Sequence, residues 1–246
     1  MKEKYYLQIA DNALILSHRL AEYCSRAPFI EEDLANTNIS LDLIGLAESV
    51  YEELAKEDQS ITGDFYAYKR TENDFVNCLL FEQGNDDYAM IIVRQFLADN
   101  FHFYFFSELT KSEDEFLKAL ALKSLKEVTY HLRRSSEWMI RLGDGTPIAN
   151  EKMQKALNLL WNYHFELFTK SQADLWAQEN NVGPNLDLIK LQFEQKCNEV
   201  FYIAKLNKPK DGFPILGGKK GIHSEKFGHM LSEMQFLTSK YPDAIW

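Results

Sequence analysis

From Asp87 to Leu109 the chain reads DYAMIIVRQFLADNFHFYFFSEL, and its apolar residues (Ala89 to Val93, Phe96, Leu97, Phe101, Phe103 to Phe106) cover nearly the whole circumference of a helix. A helix on a protein surface keeps polar residues on the side that meets water, so one that is apolar nearly all round has to be enclosed by other elements. Strand-like alternation bounded by turn signals is persuasive nowhere in the sequence, which leaves other helices to do the enclosing.

Three further long segments have the period they need. In the first, Tyr6, Ile9, Ala13, Leu16, Leu20 and Tyr23 share one face, and the segment stops before Pro28. A second starts near Asp33, carries Leu34, Leu41, Ile44, Tyr51 and Leu54, and fades into a polar connector containing Gly63. A short helix opened by Thr71 and Asp74 precedes the GNDD break and the apolar helix. The last opens with Ser112 and Glu115 spaced as a capping box, runs to Leu142 and closes at Gly143.

Two antiparallel helix pairs joined by one long connector make an all-α, ferritin-like four-helix bundle over residues 4–142. Additional C-terminal helices follow over residues 150–241: Asn150 to Phe168, a short one near Gln172 to Asn180, Asn185 to Leu206, and a last one from Ser224 to Tyr241 before Pro242. At 246 residues, 46% hydrophobic and 13% aromatic, the chain has material for a single domain spanning residues 1–246.

A net charge of −10 argues against nucleic acid or an anionic membrane as the main partner, so any anion must meet a local basic patch. Cys24, Cys78 and Cys197 stand far apart without C-x-x-C spacing, which fits free thiols in a reducing cytosol. Asp11 and Asn12 interrupt the N-terminal apolar run before it reaches signal-peptide length, and no stretch approaches the ~20 apolar residues of a membrane helix. The expected location is cytoplasmic.

Two carboxylate–imidazole near-pairs lie in the bundle interior: Asp99 with His102 on the apolar helix, and Glu127 with His131 on the next. A di-iron site in this architecture takes one Glu from each of two helices and a Glu-x-x-His pair from each of the other two. Here the second helix offers Asp42 and Glu48 but no histidine, and Tyr130 stands where the second pair's histidine belongs. The expectation is a degenerate site without metal, Asp99 pairing with His102 and Glu127 with His131. A metal site of the chain's own is the alternative. His18, His164, His223 and His229 are dispersed enough to be ordinary surface or core-edge histidines.

The segment from Lys205 to Lys226 sets six lysines against Asp211 and Glu225, a local charge of +4 in an acidic chain. Glycines 217, 218 and 221 let its backbone approach a partner closely, and Lys219 and Lys220 are its candidate docking residues for an acidic surface or a nucleotide phosphate. A solvated lysine-rich loop is the plainer account. Asp74, Phe75, Val76 and Asn77, and a second polar and aromatic turn at Leu175, Trp176 and Ala177, are further candidates, with Trp176 as an exposed anchor or ligand wall. Packing under a loop explains them as well.

DNALILSHRLAEYC, NISLDLIGLA, KEVTYHLRRSSEWMIRLGDGT, KMQKALNLLW and GGKKGIHSEKFGHMLSEMQFL together resemble the C-type subunits of the bacterial ring-1,2-phenylacetyl-CoA epoxidase, a multicomponent oxygenase. The similarity covers essentially the whole chain, most specifically the glycine–lysine loop and the methionine-bearing helix after it. The resemblance implies a non-catalytic structural role with no cofactor of the chain's own. Its partner would be the homologous catalytic subunit, which carries a di-iron centre. A further small subunit would complete the complex, and a reductase would deliver electrons from NADPH. The resemblance also implies that the segments matching Asp74 to Asn77 and Leu175 to Ala177 contact the CoA thioester. An oxygenase or oxidase in its own right and a stand-alone acyl-CoA-binding module are the competing readings, and the isolated chain is a candidate homodimer.

Overall fold

A computed structural model describes residues 1–58, 60–242 and 244. The helices are α1 (Lys2–Ala21), α2 (Ile30–Ala55), α3 (Gly63–Tyr68), α4 (Tyr88–Leu109), α5 (Glu115–Gly143), α6 (Pro147–Leu160), α7 (Phe165–Phe168), α8 (Gln172–Glu179), α9 (Leu186–Ile203), α10 (Glu225–Met234) and α11 (Phe236–Lys240). Short 3-10 turns occur at Glu72–Asp74, Trp161–Tyr163 and Gly218–Lys220, and among the described residues there is no strand. The contacts gather into two compact units, one of Met1–Gly84 with Leu216–Trp246, the other of Asn85–Ile215.

In the first unit α1 and α2 run antiparallel. They approach closely at a pair of small residues, where the Ser17 hydroxyl donates to the Ser40 carbonyl and the Ser40 hydroxyl to the Ser17 carbonyl, both at 2.9 Å. Nearer the start of α1, the Tyr51 hydroxyl donates to the Asp11 carboxylate at 2.6 Å. The face of α2 that meets the interior is Asn36, Ile39, Ser40, Leu43, Ala47, Val50 and Leu54. Leu34 and Leu41, expected on that face, are 58% and 60% exposed. The serine contact rotates α2 so that polar Asn36 and Ser40 point inward and two leucines outward.

Asp11 and Asn12, the polar residues that break the N-terminal apolar run, organise the rest of this unit. Asp11 is fully buried and receives the Arg70 guanidinium on both oxygens and the Val76 N–H at 2.9 Å, while Asn12 accepts from the Cys78 N–H at 2.8 Å. A carboxylate buried this deeply would be costly without a cation and several donors, and here it has both. Arg70 also lies 4.0 Å over the Phe75 ring. The segment from Val76 to Cys78 is therefore pinned to the middle of α1.

In the second unit α4 is buried at almost every position, as its sequence demands. Asp87 caps it, accepting from the Met90 N–H at 3.0 Å. The cap of α5 is Asp114, which accepts from Leu117 N–H at 3.0 Å, and not Ser112. The Ser112 hydroxyl instead donates to the Val182 carbonyl, so tertiary contact has taken the residue that local spacing assigned to a capping box. The expected helix from Asn150 to Phe168 is broken at Trp161–Tyr163, where His164 stacks on Phe193 of α9. His164 is 1% exposed and belongs to the core rather than to its edge. The expected C-terminal helix likewise divides at Gln235.

Candidate functional site

The first unit brings together two segments that the sequence offered as separate candidates. The loop carrying Gly217, Gly218 and Gly221 lies backbone to backbone on the segment from Asn73 to Leu79. A Cβ on Gly218 would collide with the Asn77 carbonyl, and one on Gly221, whose φ is +73°, with the Asn73 carbonyl. Only glycine fits at either position. Lys219 and Lys220, between these two glycines, are therefore held over the segment from Asn73 to Asn77.

What holds the loop down is a buried acid–base pair. Glu82 is completely buried, and its carboxylate receives the His223 Nδ1–H at 2.8 Å, the Ser224 N–H at 2.7 Å and the Asn77 side-chain amide at 3.2 Å. The other ring nitrogen of His223 faces the Phe75 carbonyl at 3.0 Å, and the ring stacks on Phe227. A carbonyl and an ionised carboxylate only accept, so this setting favours the doubly protonated, cationic imidazole. Burial opposes that charge. The bonds to Glu82 and Phe75, with the charges of Glu82 and Glu72, outweigh it and raise the histidine above its ordinary pKa. Arg19 completes the fastening, with Nε on the Glu82 carbonyl at 2.8 Å and Nη2 on the Lys226 carbonyl at 2.7 Å.

Not every residue of these segments is open to a ligand. Asp74 is exposed, but its carboxylate accepts from the Thr71 N–H and hydroxyl at 2.9 and 2.6 Å, which holds it below the usual carboxylate range. Phe75 is buried against Phe227 and Arg70, and Asn77 is buried on Glu82. Val76 and Lys219 are half-buried, and Lys220 is exposed. The solvent-facing part of this surface is thus Asp74, Val76, Lys219 and Lys220. Glu82 and Arg19 escaped the sequence reading, and His223, expected to be an ordinary surface or core-edge histidine, instead has its ring closed to solvent on Glu82. The available signal was an acid inside the apolar run LLFEQ and a histidine directly after the glycine–lysine loop.

The turn Leu175–Ala177 lies on α8 of the second unit. Leu175 is exposed, Ala177 is buried, and Trp176 is half-buried rather than exposed. The helix is set by a capping box of Ser171 and Asp174, and it ends where the Ala177 carbonyl accepts from Val182 and Gly183 N–H.

Between α4 and α5 the second unit holds the degenerate near-pairs. Asp99 is 1% exposed and accepts from the Gln95 side-chain amide at 2.6 Å, one turn back on its own helix. Burial raises its carboxyl to about 6, against the opposing pull of His131, Ser135, Gln95 and Arg134. His102 is held down to about 3, first by burial and then by His131, so its imidazole is neutral. The expected Asp99–His102 pair is therefore replaced: Asp99 takes its hydrogen bond from Gln95, one turn back along α4, and His131 and Arg134 of α5 act on it through their charge. Glu127 is half-buried, and Tyr130 is 43% exposed and turned away from the interior. Among the described residues no three His, Cys, Asp or Glu side chains converge as a metal-ligating group.

No helix of the described residues is long and apolar enough to cross a membrane. The family model described as phenylacetic acid catabolic protein matches residues 2–246. The C subunit of the 1,2-phenylacetyl-CoA epoxidase of Escherichia coli K12 is 40% identical over 245 residues, 98% of each chain.

Proposed function

The chain belongs to the phenylacetic acid catabolic protein family, whose fold is all-α and ferritin-like, and from that premise we propose that it is the structural, non-catalytic subunit of a multicomponent phenylacetyl-CoA ring epoxidase. In that role it works in the cytoplasm, paired with a homologous di-iron subunit. A small subunit joins them, and a reductase draws electrons from NADPH. The iron and the electrons belong to those other chains, and this chain supplies a surface.

The observation that carries the reading is the interior of α4 and α5. Asp99 is hydrogen-bonded to an amide and raised toward neutrality rather than met by further carboxylates, and His102 beside it is neutral. Burial makes the charge of Asp99 costly to hold, and what offsets that cost among the described residues is an amide donor and no ion pair.

The surface best suited to meet an acidic partner is the pinned loop, with Lys219 and Lys220 between the two glycines seated on Asn73 and Asn77. The same lysines could neutralise phosphates of a CoA thioester, and Leu175 and Trp176 offer an apolar contact of their own on α8. Elemental analysis of the chain purified alone from iron-supplemented cells tests the assignment. We expect no more iron or manganese than in a preparation of the His102→Ala variant. Near-stoichiometric metal, lost together with oxygenase activity in that variant, would replace this reading with that of a metalloenzyme.

A further inference from the structure

We propose that the first unit carries a binding site for a small amphipathic cation, an ammonium or guanidinium group on an apolar body, in the open-sided cavity bordered by α1, α3, α10 and α11. The cavity measures about 530 Å³, within the range of small-molecule sites. Its apolar walls are Met230 and Met234 of α10, Leu237 of α11 and the Tyr68 ring of α3. Thioether side chains adapt to the shape of a guest, and an aromatic face attracts a cation.

The polar groups on this cavity have one sign. Glu22 and the exposed Asp64 and Glu233 line it, and among the described residues no lysine or arginine does. Glu22 is neutralised by Arg19 at 2.6 Å, whereas neither Asp64 nor Glu233 forms an ion pair among the described residues. Glu22 sits at the C-terminal end of α1, where the unsatisfied carbonyls add a negative partial charge. An adjoining cavity of about 230 Å³ shares Asp64 and Tyr68 and adds Glu48 and Glu52. The potential is visible at the Tyr68 hydroxyl, which burial, Asp64 and Glu48 together raise above its usual pKa. His18 supplies a neutral polar atom: burial lowers its pKa, and its Nε2 is shielded from water with no hydrogen-bond partner. A polyanionic CoA thioester is repelled here, so this site is separate from the surface at Lys219 and Lys220.

The test uses the full chain with isotope-labelled methionine methyls, titrated with phenylbutylammonium, its neutral isostere phenylbutanol and its anionic counterpart phenylbutyrate. Met230 and Met234 report the cavity, and Met139 and Met153, buried in the second unit, serve as internal controls. We expect saturable shifts of Met230 and Met234 with the ammonium, binding of the alcohol weaker by about tenfold or more, and none of the carboxylate. The double variant Asp64→Asn, Glu233→Gln should lose that preference while keeping its melting temperature. The proposal is overturned if the alcohol binds as well as the ammonium, if the double variant binds the ammonium unchanged, or if neither methyl moves.

Discussion

His223 and Glu82, 141 residues apart in sequence, meet at 2.8 Å with both side chains closed to solvent, and the histidine gives its second N–H to the Phe75 carbonyl. The folded-state pKa of His223 lies above its unfolded value of about 6.5. Its contribution is therefore complete below that value and is lost as pH rises through the raised pKa. Trypsin cleavage after Lys219 and Lys220 should accelerate as the solution is made alkaline, before global unfolding. His223→Gln, which cannot be cationic, should be cut quickly at every pH, and equal rates for the two proteins would dismiss the clamp.

The two close-packed glycines should behave differently from a flexible hinge. At Gly221 alanine meets both the Asn73 carbonyl and a positive φ, and at Gly218 it meets the Asn77 carbonyl with no such backbone constraint. Each substitution should cost on the order of 1–3 kcal/mol in urea unfolding, by strain and by prising the loop off the segment beneath it. An unchanged midpoint for both variants would mean that the loop is not seated as described.

The helices were legible because the apolar helix and its neighbours have a strong period. The partners were not. Ser112 looked like a cap until Val182 took its hydroxyl, Leu34 and Leu41 looked interior until the Ser17–Ser40 contact set the rotation of α2, and Asp99 looked bound to His102 until the Gln95 amide claimed it. In each case a contact distant in sequence, or a choice of side-chain direction, decided between options that local spacing leaves equal. The joining of Asn73–Leu79 to the glycine–lysine loop was hidden for the same reason.

Reversing Lys219 and Lys220 to glutamate should weaken assembly with the di-iron subunit, and the loss should be largest at low ionic strength, where exposed charges are least screened. Co-purification and turnover of the reconstituted complex measure it, with the exposed Lys152→Glu of α6 as a control for net charge. Retention of both assembly and turnover in the double reversal would leave the loop a solvated surface.

Asp99 gives the second pH prediction, with the sign fixed by a raised carboxyl. Its folded pKa is about 6 against an unfolded value near 3.9, so the folded chain keeps a proton that the unfolded chain gives up. Stability is whole below the unfolded value, falls as pH rises between the two, and is lower by on the order of 3 kcal/mol once the buried group ionises. Asp99→Asn, isosteric and never charged, should match the wild type in acid and exceed it in urea unfolding at slightly alkaline pH. Asp99→Ala should be less stable than Asp99→Asn throughout, because it strands the Gln95 amide and opens a void. A flat difference between wild type and Asp99→Asn across that pH range would mean that Asp99 stays ionised, held by a cation or donors among its neighbours, and the interior of α4 and α5 would then regain the charge that a metal site requires.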